Sequence, residues 1–149
     1  MSWITNLLSG RKTVAAPEPV RQVYEPKRLY ELLLRQFSGK FHGGEATIRH
    51  SDRGFVTLTP DEALGCLKRA WAPYQDQVYD CDDMAFAAKN EACLLGRKLG
   101  KPAAFGIIWT TADEDHAFNW YVHQGKVVLL DVEVGGERTL KGEITLLLC

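Results

Sequence analysis

The sequence has no long apolar run, no marked excess of charge and no cysteine pair at zinc-binding spacing. Each absence removes a class of function. A helix that crosses a bilayer needs roughly 20 consecutive apolar residues, and the longest runs here are far shorter. A formal net charge of −1 gives no electrostatic reason to expect nucleic acid. The opening Met1-Ser2-Trp3-Ile4-Thr5-Asn6-Leu7-Leu8 lacks a basic start and a small-residue cleavage site, so it does not read as a secretion signal. The cysteines Cys66, Cys81, Cys93 and Cys149 form no CxxC pair, which argues against a zinc cage. Reduced thiols in the cytoplasm of a bacterial or host cell are the expectation. Cys66 and Cys93 fall in apolar helical patterns and read as small core residues. Repeats and low-complexity segments are also missing. What remains is a chain of 149 residues, 46% hydrophobic and 25% charged, enough for one domain with a sizeable core.

Residues 1–25 read as an arm. Trp3, Ile4, Leu7 and Leu8 make an apolar stripe, and Ala15-Ala16-Pro17-Glu18-Pro19 an extended linker. The domain is expected over 26–149. Pro26 suits a first helical turn, and Leu29, Leu32, Leu33 and Phe37 give a helix near 26–37. Residues 45–50 and 55–58 suggest two strands joined as a hairpin at Ser51-Asp52-Arg53-Gly54. Thr59-Pro60-Asp61-Glu62 starts a helix that runs to about Trp71. A central helix is expected over 81–99, ended by Gly100-Lys101-Pro102. Strands follow at 104–111, 117–123 and 126–134, with Gln124-Gly125 as a tight turn. Leu140–Cys149 is a strand or a short helix. Helices followed by an antiparallel sheet make the fold class α+β.

Chemistry is suggested at one place. Asp80 reads as N-cap of the central helix, and Cys81 falls at its first position. Unpaired N–H groups and the positive dipole end there favour thiolate, the attacking species. His116 opens a strand expected to cross the helix face that carries Cys81. The hairpin returns Asp131 and Glu133, which share a face, to the histidine's neighbourhood. Either acid is placed to hold the imidazole's tautomer. Gln75 on the preceding loop is a candidate oxyanion donor beside the Cys81 N–H. Trp71, Trp109 and Trp120 are candidate cleft walls, with core packing the alternative. Asp80, Asp82 and Asp83 oppose the thiolate by charge. An imidazolium at His116 would answer this. So would Ca²⁺ or Mn²⁺ held by Asp82, Asp83 and Glu133; no cofactor is required for the thiol chemistry itself.

At Asp80-Cys81-Asp82-Asp83-Met84-Ala85, His116-Ala117-Phe118-Asn119 and Leu130-Asp131 the chain resembles the transglutaminase-like branch of the papain-fold superfamily, over residues 60–135. The Asp-Cys-Asp-Asp form is similar to the papain-like C-terminal domain of a mushroom agglutinin, and the small size to phage-type relatives. The resemblance implies a Cys-bearing helix packed on a sheet bearing His and acid. It implies Cys81 as nucleophile, His116 as base and Asp131 as orienting acid, with Asp82, Asp83 and Glu133 as cation ligands. It is incomplete, since Val132 stands where a proline usually follows the acid.

The function expected on these grounds is a cysteine hydrolase, a peptidase or amidase working through a thioester, with acyl transfer as a variant. Its partner would be a protein or peptide, without nucleic acid or membrane. The alternatives are a catalytically silent module that acts as adaptor or inhibitor, and a cation-binding structural domain.

Overall fold

The computed structural model describes residues 18–44, 48–49, 52–75, 78–111 and 115–149. In chain order the described elements are β1 (Val23–Tyr24), α1 (Pro26–Gln36), β2 (Ile48–Arg49), β3 (Phe55–Val56), α2 (Pro60–Ala70), α3 (Cys81–Leu99), β4 (Phe105–Thr111), β5 (His116–His123), β6 (Lys126–Asp131), β7 (Gly136–Arg138) and β8 (Glu143–Leu148). The class is α+β, with three α-helices among the described residues and a mixed sheet. Six strands run in the order β2-β8-β4-β5-β6-β7, and β1 pairs with β3 in a separate ribbon. The β2–β8 pair is parallel and the other pairs of the large sheet are antiparallel.

The sheet is the middle of three layers. Along β5, successive side chains alternate between faces. Phe118, Trp120 and Val122 join Leu29, Leu32, Leu33 and Phe37 of α1 in one core. Tyr121 joins Leu67 of α2 and Met84, Ala88 and Ala92 of α3 in another. The alanines let α3 approach closely. Asn119, fully buried, uses that approach: its amide donates to Ala85 O at 2.9 Å and to Gly106 O at 3.1 Å. This amide ties the helix to the sheet beneath it.

The helix ends follow local chemistry. Thr59 and Glu62 form a complete capping box on α2, with Pro60 in the first turn. Gly100 closes α3 in the left-handed conformation, φ 72°. Gln124 and Gly125 have φ of 49° and 74°, as the two-residue hairpin between β5 and β6 requires.

Several expectations are corrected. The segments near 48 and 55 do not pair as a hairpin: β2 joins β8, and β3 joins β1. Each segment is too short to make a stable two-stranded unit, and each finds a partner distant in sequence. Asp80 holds the N-cap position of α3 but makes no side-chain cap. Cys93 is exposed, on the outer side of α3. Leu140–Cys149 contains a strand, β8. The arm expected over 1–25 is described from residue 18 onward, and its Trp3-Ile4-Leu7-Leu8 stripe lies outside the described residues. Arg21 donates two 2.7 Å bonds to Glu62, and Tyr24 is buried in the α1 core.

Candidate functional site

The strand order puts three sequence-distant groups at one end of the sheet. Cys81 begins α3, His116 begins β5 and Asp131 ends β6. Cys81 packs against the cluster of Ala85, Ile107 and Ala117, and the Ala117 N–H donates to its sulfur. The imidazole comes in from the strand end, stacked on Phe118 with centroids 5.8 Å apart. Cys81 and His116 line the same cleft.

Behind the histidine stands Asp131. His116 Nε2–H donates to Asp131 Oδ2 at 3.0 Å, and the Arg138 guanidinium donates to the same oxygen at 2.6 Å. The Glu133 N–H donates to Oδ1 at 2.9 Å. Asp131, and not Glu133, is therefore the acid bonded to the imidazole. Its side chain is 4% exposed, against 11% for His116 and for Arg138. Burial opposes the charge on Asp131, but His116, the Glu133 N–H and Arg138 outweigh it and hold the carboxyl below its ordinary range.

The thiol has the opposite balance. Burial pushes the Cys81 pKa up, and the charges of Asp80, Asp82 and Glu133 push it further. The bond from the Ala117 N–H works against them without prevailing. Asp82 holds its proton above the ordinary aspartate value, first through its hydrogen bond with Asp80 and then through burial. Asp80 Oδ1 is buried without a hydrogen-bond partner.

The acids expected to bind a cation divide into two groups. Ligand atoms of Asp80, Cys81 and Asp82 lie within 4.8 Å of one another, and so do those of His116, Asp131 and Glu133. Asp83 belongs to neither group and is exposed. Gln75 is exposed and bonded through its backbone to Tyr79, outside the set of cleft-lining residues. Trp120 is core, its indole N–H donating to Leu148 O. Trp109 packs against Phe86, with ring centroids 5.6 Å apart.

The cleft at the start of α3 holds about 490 Å³. Trp71, Ala72, Tyr74 and Met84 give it apolar lining, and Asp115, His116 and Glu133 give it polar lining. Trp71 and Tyr74 are 58% and 54% exposed. Sequence reasoning missed Tyr74, Asp115 and Arg138. Arg138 sits on β7, a three-residue strand; the Gly135-Gly136 dipeptide before it was the available turn signal.

The sequence matches no protein-family model, and no curated protein matches it. Solved structures do match in fold. PSL1a, in a complex with E64, superposes at a TM-score of 0.67 with 18% identity, over 85% of this chain and 51% of its own. Polyporus squamosus lectin, bound to the human-type influenza-binding epitope Neu5Aca2-6Galb1-4GlcNAc, superposes at 0.62 with 16% identity, over 87% of this chain and 49% of its own. The chain thus spans about half the length of each neighbour. The Polyporus squamosus lectin is among the matching structures, and this corrects the transglutaminase-like and papain-like identification made from short motifs. The cysteine peptidase or hydrolase reading, the thiol-enzyme class, the protein or peptide partner and the silent adaptor alternative are withdrawn with it. The raised thiol at Cys81 gives a physical reason: its local field favours the protonated form over the attacking one. At these identities the fold is what the chain shares with the Polyporus squamosus lectin structures.

Proposed function

We propose that this domain binds carbohydrate, with the cleft at the start of α3 as its binding site. The observation that carries the reading is the presence of two exposed rings, Trp71 and Tyr74, and polar side chains in the lining of one cleft. A saccharide offers an apolar C–H face and a rim of hydroxyls. Aromatic rings suit the first, and carboxylates and imidazole suit the second. A charged acceptor makes a stronger hydrogen bond to hydroxyl than a neutral one does. The glycan bound by the Polyporus squamosus lectin supports the ligand class. Because the chain spans about half of that protein, only the class is carried over. In this reading Cys81 and Met84 form the floor of the cleft, and Asp131 with Arg138 fixes the His116 ring.

Binding of an oligosaccharide panel to the full chain, measured by calorimetry, tests the reading. Trp71→Ala and Tyr74→Ala should each weaken binding by about tenfold, with unchanged circular dichroism. Failure of every saccharide to bind, or full binding by both variants, would falsify it.

A cation is a separate part of the proposal. Asp80 and Asp82 are the better donors for Ca²⁺ or Mn²⁺, since Asp80 leaves a buried oxygen without a partner. The His116, Asp131 and Glu133 group suits it less, because Asp131 is already neutralised by Arg138. Titration of the full chain with each ion should show binding that Asp82→Asn weakens. The absence of heat and of a thermal shift would dispose of it.

A further inference from the structure

The charged groups on the cleft have one sign. Asp115 and Glu133 line it, and its remaining titratable lining groups are His116, the Cys81 thiol and the Tyr74 phenol. From Trp71 to Ala88 the chain carries Asp76, Asp80, Asp82 and Asp83 but no lysine, arginine or histidine. Three carboxylates, those of Asp80, Asp82 and Glu133, act on the cleft through space at the Cys81 sulfur. Arg138, which lines the neighbouring depression, is bonded to Asp131 and stacked 4.3 Å over the Phe118 ring. Lys141 lies one depression further along, which it shares with Asp115, Glu133 and Glu137.

Resting on the carbohydrate reading, we infer that the cleft selects saccharides that carry a positive charge, amino sugars, and turns away sialylated ones. Glu133 and Asp115 line the same cleft as Trp71 and Tyr74. A ring stacked on the aromatics presents its substituents to these two carboxylates. An ammonium there gains a charge-assisted hydrogen bond, a neutral acetamide gains an ordinary one, and the carboxylate of a sialic acid meets repulsion. The ligand preference is thus opposite in charge to the epitope bound by the Polyporus squamosus lectin.

The test compares three trisaccharides by calorimetry on the full chain, at low salt and with EDTA so that the acids stay free of metal. They are triglucosamine, tri-N-acetylglucosamine and Neu5Acα2-6Galβ1-4GlcNAc. A pH of about 6 keeps the amines charged. Triglucosamine should bind about tenfold more tightly than the neutral sugar, and the sialylated one should bind most weakly. The advantage should shrink at about 0.5 M salt. In the double variant Asp115→Asn, Glu133→Gln the ratio of amine to neutral affinity should fall to about one. If the neutral sugar binds but the amine gains nothing, or the sialylated sugar matches the neutral one, the selectivity is overturned and the saccharide cleft stands. If none of the three binds, the carbohydrate reading falls and the selectivity falls with it.

Discussion

His116 Nε2 and Asp131 Oδ2 lie 3.0 Å apart, on strands that the Gln124-Gly125 turn folds against each other. The same oxygen takes a 2.6 Å bond from Arg138, so one buried carboxylate holds an imidazole and a guanidinium in place. This triad fixes the polar wall of the cleft.

Asp131→Asn should destabilise the fold by about 3 kcal/mol, because it removes the carboxylate charge that both the His116 imidazole and the nearly buried Arg138 guanidinium meet. Urea denaturation measures it. A variant as stable as the parent would show that the pair contributes nothing.

The same residue sets a pH dependence. Proton binding to Asp131 is weaker in the folded chain than in the unfolded one, whose carboxyl sits near 3.8. Its contribution to stability is therefore complete above that value and disappears as pH falls through the lower folded pKa. Denaturation of the parent and of Asp131→Asn should show a constant gap above about pH 4 that narrows below it. A gap that widens on acidification would reverse the assignment.

Alkylation of Cys81 should follow a pH profile with its midpoint above that of an ordinary thiol, since burial and the surrounding acids raise it. Cys93, exposed on α3, should react ahead of Cys66, whose pKa is pushed up to about 11 by burial. Iodoacetamide labelling followed by mass spectrometry reads both. A Cys81 midpoint below neutrality would mean that the imidazole overrides the acids.

Gly106→Ala should destabilise by about 2 kcal/mol or fail to fold. A Cβ at this position would stand 1.9 Å from Leu148 O and 2.5 Å from the Trp120 ring. Thermal melting compared with Gly135→Ala, where a Cβ meets nothing within 4 Å, separates crowding from backbone strain. Equal losses in the two variants would count against crowding.

Much of this was legible in the sequence. The Thr59-Pro60-Asp61-Glu62 cap, the Leu29-Leu32-Leu33 stripe and the Gln124-Gly125 turn are local signals, and each element they mark stands where they put it. The meeting of Cys81, His116 and Asp131 at one sheet end followed from helix and strand starts together. Partnerships set by distant chain were not legible. β2 pairs with β8 and β3 with β1 because two-residue strands have too little pattern to specify a partner. Arg138 arrives on a strand of three residues. The opposition of the neighbouring acids to a Cys81 thiolate was legible; the burial that pushes the thiol up most was not. The cleft's aromatic wall needed Tyr74, a loop residue with no periodicity to mark it.

The placement of β8 has a kinetic meaning. It lies between β2 and β4, so β2 waits for a strand that follows it by most of the domain, and β4 for one that comes only after β5, β6 and β7. Until it docks, β4 is an open edge carrying Ile107, Ile108 and Trp109, and the Trp120 indole has no carbonyl to meet. Such an edge is a template for pairing between chains, and closing so long a loop is slow. The step that completes the sheet is therefore also the step that protects the chain from self-association while it folds.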